Sequence, residues 1–179
     1  MIEAFKQWFQ EIREDAVKEK INKARIKGDE SKWKQEIWRS PDKNRAIKER
    51  FCIEGARLKY ESRPCNKTHS KEWLYDFVWR EFDCQRNLKR VILTMEIEVS
   101  DQYFNYDFSK LLQADSEYKI MVFQVKSEQE VEKIFQLLST AVLNYQSKTA
   151  SNYLLVGWCT SLNDFIFKNI VVSISESLY

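Results

Sequence analysis

The pattern of the chain predicts an α/β fold, a mixed sheet with helices on its faces, and three observations carry that prediction. Val91 to Val99 alternates: Val91, Leu93, Met95, Ile97 and Val99 fall on one face, and Ile92, Thr94, Glu96 and Glu98 on the other. That is the two-residue repeat of a strand. Residues 2–27 and the run from Val131 to Tyr145 instead repeat their apolar residues at three-four spacing, which is the repeat of a helix. Between and after these stretches, strand-like and helix-like patterns alternate, the order of a layered α/β structure. With 179 residues, 44% hydrophobic and 14% aromatic, the chain is long and apolar enough for one packed core. No linker, repeat or low-complexity tract divides it. One domain over 1–179 is therefore expected, with N-terminal helices over 1–50, a core over 51–125, and a C-terminal helix and hairpin over 126–179.

Taken in order, the first helix presents Phe5, Trp8, Phe9, Ile12, Ala16, Ile21 and Ala24 as one stripe, and Gly28 is its stop. The stripe either packs on its own domain, the favoured reading, or forms a dimer seam. A second helical stretch begins near Glu30, carries Trp33, Ile37 and Trp38, is interrupted at Pro41 and resumes from Lys43 to Phe51. Gly55 to Glu61 reads as a first strand, and Arg63 to Ser70 as a loop. Trp73 to Trp79, rich in aromatics, is the second strand, and Val91 to Val99 the third. Asp107 caps a short helix that ends at Asp115 and buries Phe108, Leu111 and Leu112. Tyr118 to Val125 is a strand. Ser127 and Glu130 form a capping box for the helix that follows. Asn152 to Cys159 and Phe165 to Ser175 close the chain as a hairpin.

Composition excludes several classes of function. Three glycines leave no Gly-rich phosphate loop and no dinucleotide fingerprint. The one histidine, His69, excludes chemistry that needs two and lies in a polar run. Cys52, Cys65, Cys84 and Cys159 show no zinc spacing, although Cys65 and His69 make half of a site; free thiols in a reducing cytoplasm are the expectation. No stretch has the length and apolarity of a membrane span or a signal peptide. Basic and acidic residues number 29 and 27, so any basic surface must be local.

The chemistry concentrates where the second and third strands meet. If they pair antiparallel around a turn near Arg86, Asp76 lies opposite Glu96, beside Glu98. Three carboxylates in so apolar a setting are costly unless a divalent cation compensates them. Glu96 and Glu98 equally suit a solvated face, paired with Arg57 or Lys59. Two groups of cations suit phosphate: Arg57, Lys59, Arg63, Lys67 and Lys71, and, on the turn, Arg80, Arg86, Lys89 and Arg90.

The acid Asp76 on a second strand, Glu96-x-Glu98 on a third, and the order helix, three strands, helix, strand resemble the PD-(D/E)xK nuclease-like superfamily, to which the restriction endonucleases belong. The runs WLYDFVW, ILTMEIEVS, DFSKLL and YKIMVFQ are also similar to small bacterial proteins assigned to it. The resemblance covers residues 50–125. It implies a restriction endonuclease-like core of order αβββαβ. It implies a nuclease hydrolysing DNA phosphodiester bonds with Mg²⁺ or Mn²⁺. Asp76 and Glu96 would be the metal ligands, aided by the Ile97 carbonyl, and Glu98 would orient the attacking water. The family's usual lysine is replaced here by Glu98. Members lacking it supply a lysine from the following helix, and Lys110 is in that position. An additional acid would come from Glu36 or Glu49. Pairing of two copies to cut two strands is also implied. The alternative is a nuclease-like fold without catalysis that serves as a protein or nucleic-acid interaction module.

Overall fold

In a computed structural model, residues 1–28, 38, 40–64, 74–99, 104–146 and 149–173 are described. Among them stand four helices and six strands. In chain order these are α1 (Ile2–Lys27), α2 (Ser40–Arg57), β1 (Glu61–Arg63), β2 (Phe77–Phe82), β3 (Leu88–Glu98), α3 (Phe104–Gln113), β4 (Ser116–Val125), α4 (Glu128–Asn144), β5 (Ser151–Cys159) and β6 (Asp164–Val172). The strands form one mixed sheet whose spatial order is β1-β2-β3-β4-β5-β6. β1, β2 and β3 run antiparallel to their neighbours, β3, β4 and β5 run parallel, and β6 returns antiparallel to β5. The two parallel steps are bridged by α3 and α4, as parallel pairing requires.

α1 and α2 cover one face of the sheet. Phe5, Trp8, Phe9, Phe51, Phe77 and Trp79 meet there, with Leu93, Met95 and Ile97 of β3. α3 and α4 cover the other face through Phe104, Phe108, Leu111, Val131, Phe135 and Leu138, against Met121, Phe123, Tyr153 and Leu155. The α1 stripe thus packs on its own chain: Phe9 is fully buried and its ring lies 5.2 Å from that of Phe165. That burial is the expected outcome for the stripe, and it removes Trp8 and Phe9 as a dimer seam. Gly28 stops α1 in the left-handed conformation, φ 66°, where a Cβ is disfavoured. Ser127 and Glu130 form the capping box at the start of α4.

Four expectations are corrected. Pro41 does not interrupt a helix; it lies in the first turn of α2, where its missing N–H is harmless. Gly55 does not begin a strand, because α2 continues to Arg57 and the strand starts only at Glu61. A Cβ on Gly55 would stand 2.4 Å from Trp79 Nε1, so the glycine serves the close approach of an indole rather than a turn. Trp79 Nε1 donates to Phe51 O at 3.0 Å just above it. Asp107 does not cap α3, which begins at Phe104. The second strand begins at Phe77, later than expected. Trp73 and the helical stretch from Glu30 to Ile37 lie outside the described residues, as do Cys65, Lys67, His69 and Lys71. No helix among the described residues is long and apolar enough to cross a membrane.

Candidate functional site

The site lies at the open end of the β2–β3 hairpin. Phe77 pairs with Met95, which sets Asp76, the residue before it, level with Glu96. The expected alignment is therefore met, by a different route. Phe82 pairs with Leu88, so the turn centres on Gln85, one residue earlier than expected. Two register irregularities, at Trp79/Arg80 and Glu81/Phe82, place extra residues on β3 and restore the alignment before the strands reach the acids. The turn itself is held by Asp83, whose Oδ1 accepts from the backbone N–H groups of Gln85 and Asn87 at 2.9 and 2.8 Å.

Asp76 is fixed from two sides. Its Oδ2 accepts from the Ile97 N–H at 2.8 Å, and its Oδ1 lies 3.2 Å from Lys48 Nζ of α2. Glu96 is only 2% exposed. Lys110 Nζ, reaching down from α3, stands 2.7 Å from Glu96 Oε1 and 2.8 Å from Asp107 Oδ1. The ammonium is at ion-pair distance from Glu96 Oε1, yet that buried oxygen has no aligned hydrogen-bond donor. Desolvation pushes the Glu96 carboxyl up to about 7; Lys110 opposes the shift, and the charges of Asp76 and Asp107 reinforce it. Burial works against the charge on Lys110, but Asp107 and Glu96 together outweigh it and hold the ammonium above its ordinary range. Tyr75 borders the same cluster. Its phenol is raised by burial and by the charge of Glu96.

Glu98 does not join Glu96. Its Oε1 accepts from the N–H of Val99 at 2.7 Å. Among the described residues no group of three or more His, Cys, Asp or Glu side chains converges where a metal ion could sit. The structure brings together Asp76, Glu96, Asp107, Lys48 and Lys110 instead of Asp76, Glu96 and Glu98. The reason is electrostatic: desolvated carboxylates repel, and each acid here has found an ammonium or a backbone N–H. Asp107, expected as a helix cap, holds Lys110 one turn on. Lys48 carried no clear sequence signal. It follows Ile47, at the margin of the buried face of α2, and only the docking angle of that helix turns it to Asp76. Glu49 is exposed on α2, and Glu36 lies outside the described residues.

The cations of the turn sit elsewhere. β3 rises by ~3.3 Å per residue, so Lys89 stands roughly 20–25 Å along the strand from Glu96. Each turn cation has an acid nearby. Arg80 and Arg86 pair with Glu61, and Lys89 and Arg90 pair with Glu81 at 2.7 Å. Arg86 and Arg80 also lie over the Phe82 ring, at 4.8 and 5.1 Å. Arg57 pairs with Glu54, and Arg63 with Glu61. Cys52, Cys84 and Cys159 are free thiols.

No protein-family model, curated protein or solved structure matches the chain.

Proposed function

We propose that the chain is a metal-dependent phosphodiesterase acting on DNA, of the PD-(D/E)xK nuclease-like type. The observation that carries this reading is the arrival of Lys110 at Glu96. A lysine from the helix after the third core strand meets an acid on that strand, level with Asp76 beside the second. The order α2, β1, β2, β3, α3, β4 supports the same reading, since it is helix, three strands, helix, strand.

The chemistry of the donors suits a hard divalent cation. Asp76 and Glu96 offer carboxylate oxygens, and Glu96 Oε1 is buried without an aligned hydrogen-bond donor. These two residues would hold Mg²⁺ or Mn²⁺, which supplies phosphoryl polarisation and an acidified water when bound. Lys110 serves the chain's own part of the reaction: an ammonium held protonated beside the acids donates to phosphoryl oxygens as charge builds on them. Lys48 and the Ile97 N–H hold the Asp76 carboxylate in place. Glu98, half-buried two residues beyond Glu96 on the same strand face, would orient or deprotonate the attacking water if its carboxylate turned from the Val99 N–H toward the site.

The test is cleavage of plasmid and oligonucleotide DNA in Mg²⁺ and Mn²⁺, with Glu96→Gln, Asp76→Asn and Lys110→Ala. The expected result is cleavage by the wild type and a loss of at least about a hundredfold in each variant, as for the removal of one electrostatic group from a reacting centre. No cleavage by the wild type across pH 6–9 would overturn the reading. A second reading has one observation in its favour: in the Glu96–Lys110–Asp107 triplet the ammonium already stands at ion-pair distance from both acids, without a cation. A nuclease-like fold kept as an interaction module would show that triplet and would leave DNA intact.

A further inference from the structure

A cleft of about 660 Å³ opens where β3 and β4 end, between the first turns of α3 and α4. Crevices beyond the carboxyl ends of parallel strands are where open α/β sheets take their ligands, and this volume lies within the ~300–1,000 Å³ range of small-molecule sites. Val99, Phe104, Ile134 and Leu137 contribute an apolar wall, and Lys126 and Lys133 stand on its rim.

The cleft lies near the acid site along β3 and α3. Glu98 pairs with Phe123 across the parallel step. The Phe123 ring meets that of Phe104 at 5.8 Å, and Phe104 is a wall of the cleft. Phe104 also opens α3, the helix that carries Lys110 to Glu96. Val99 follows Glu98 directly. From Glu96 to Val99 the strand rises only about 10 Å.

Charge selects the occupant. Neither Lys126 nor Lys133 has a hydrogen bond or ion pair from its ammonium to a described residue. The one acid on the lining, Glu130, turns its carboxylate to the backbone N–H groups of Lys126 and Ser127, at 2.8 and 3.0 Å, as part of the helix cap. Two uncommitted cations beside an apolar wall suit a phosphate joined to a flat apolar group. A hydroxyl for an edge is present in Thr160; the Gln124 side chain is taken up on the opposite face of the sheet, where its oxygen meets Lys43 and Ser40 of α2.

We propose that this cleft seats one unpaired nucleotide of a nucleic-acid strand, base against Ile134 and Leu137 and phosphate at Lys126 and Lys133, next to the scissile bond. The proposal rests on the phosphodiesterase reading and narrows its substrate to single-stranded DNA or a strand with an extruded nucleotide. Stacking and apolar contacts of this kind take any base, while clustered cations track the backbone.

The test is fluorescence anisotropy of a labelled oligo-dT strand, and of a duplex of equal length, in EDTA. The proteins are the wild type, Lys126→Glu/Lys133→Glu and Leu137→Asp, with Lys18→Glu/Lys23→Glu as a control of equal net charge. Leu137 is 49% exposed, and Lys18 and Lys23 are exposed on α1, so these variants keep the core. The expected result is tighter binding of the single strand than of the duplex. Affinity falls at least tenfold in the Lys126/Lys133 variant and severalfold in Leu137→Asp, with little change in the α1 control. Equal losses in the α1 control, unchanged binding in the cleft variants, or preference for duplex would each overturn the proposal. Cleavage assays in Mn²⁺ on the same proteins separate the two readings. A wild type that cuts, with cleft variants that bind and cut as well as it does, loses the cleft alone. A wild type that neither binds nor cuts loses both.

Discussion

The two ends of the β2–β3 hairpin carry similar numbers of charges and handle them in opposite ways. Toward the turn, Glu61 gathers Arg63, Arg80 and Arg86, and Glu81 gathers Lys89 and Arg90, with most of these cations open to water that screens the pairs. At the open end, Glu96 is nearly sealed from water and meets one lysine, which it shares with Asp107. The pairs at the turn favour the charged forms: their cations hold Glu61 and Glu81 below the usual carboxylate range. At the open end burial works the other way, and desolvation raises the Glu96 carboxyl against the pull of Lys110. Ion-pair geometry alone would not have distinguished the two ends, because the distances are nearly equal; burial does.

The largest break in that comparison comes from Lys110→Ala, which leaves Glu96 buried without its counter-charge. Loss of about 3 kcal/mol of stability is expected at pH 8, with much less at pH 5, where Glu96 carries a proton; urea denaturation at the two pH values reads it. Glu96→Gln tests the same burial from the other side. The folded-state pKa is raised, from 4.5 to about 7. The folded protein therefore keeps a proton that the unfolded chain releases, and stability falls as pH rises through that window. The wild type is expected to lose roughly 2–3 kcal/mol between pH 4.5 and 8 from this group. Glu96→Gln removes that part of the slope and is the more stable protein at pH 8. Lys48→Ala is smaller, about 1 kcal/mol, because Asp76 keeps the Ile97 N–H; denaturation midpoints check it. Arg90→Ala at the turn is expected to shift the midpoint by no more than its error, in low salt or high. A turn variant as costly as Lys110→Ala would erase the contrast.

The alignment of Asp76 with Glu96 was legible from their equal distance to a turn expected near Arg86; the turn lies one residue earlier, and the two irregularities make up the difference. Gly28 and the Ser127/Glu130 box were legible because capping is local chemistry. What escaped was decided by the angle at which helices dock. Lys48 and Asp107 reach the acids only through the placement of α2 and α3 on opposite faces of the sheet. Gly55 looked like a strand start because no pattern in its own segment shows Trp79 arriving from β2. Glu98 shares its face with Glu96 as expected, but its carboxylate prefers the N–H of the next residue to the company of another acid.

The spatial order of the sheet is also the chain order, and this bears on how the molecule is made. Each strand finds its partner in the strand just synthesised, so pairing involves short closures, and the sheet grows outward from one edge as the chain emerges. α1 is the exception. It is made first, yet Phe9 rests against Phe165, and Arg13 Nε donates to Asn163 O, in the last hairpin. Because Phe5 and Trp8 also pack on Phe51 and Trp79, the final strands complete the docking of α1 rather than begin it. Truncating β6 should leave the acid site's own strands paired while loosening α1, so that loss of cooperativity, rather than loss of the sheet, marks the shortened chain.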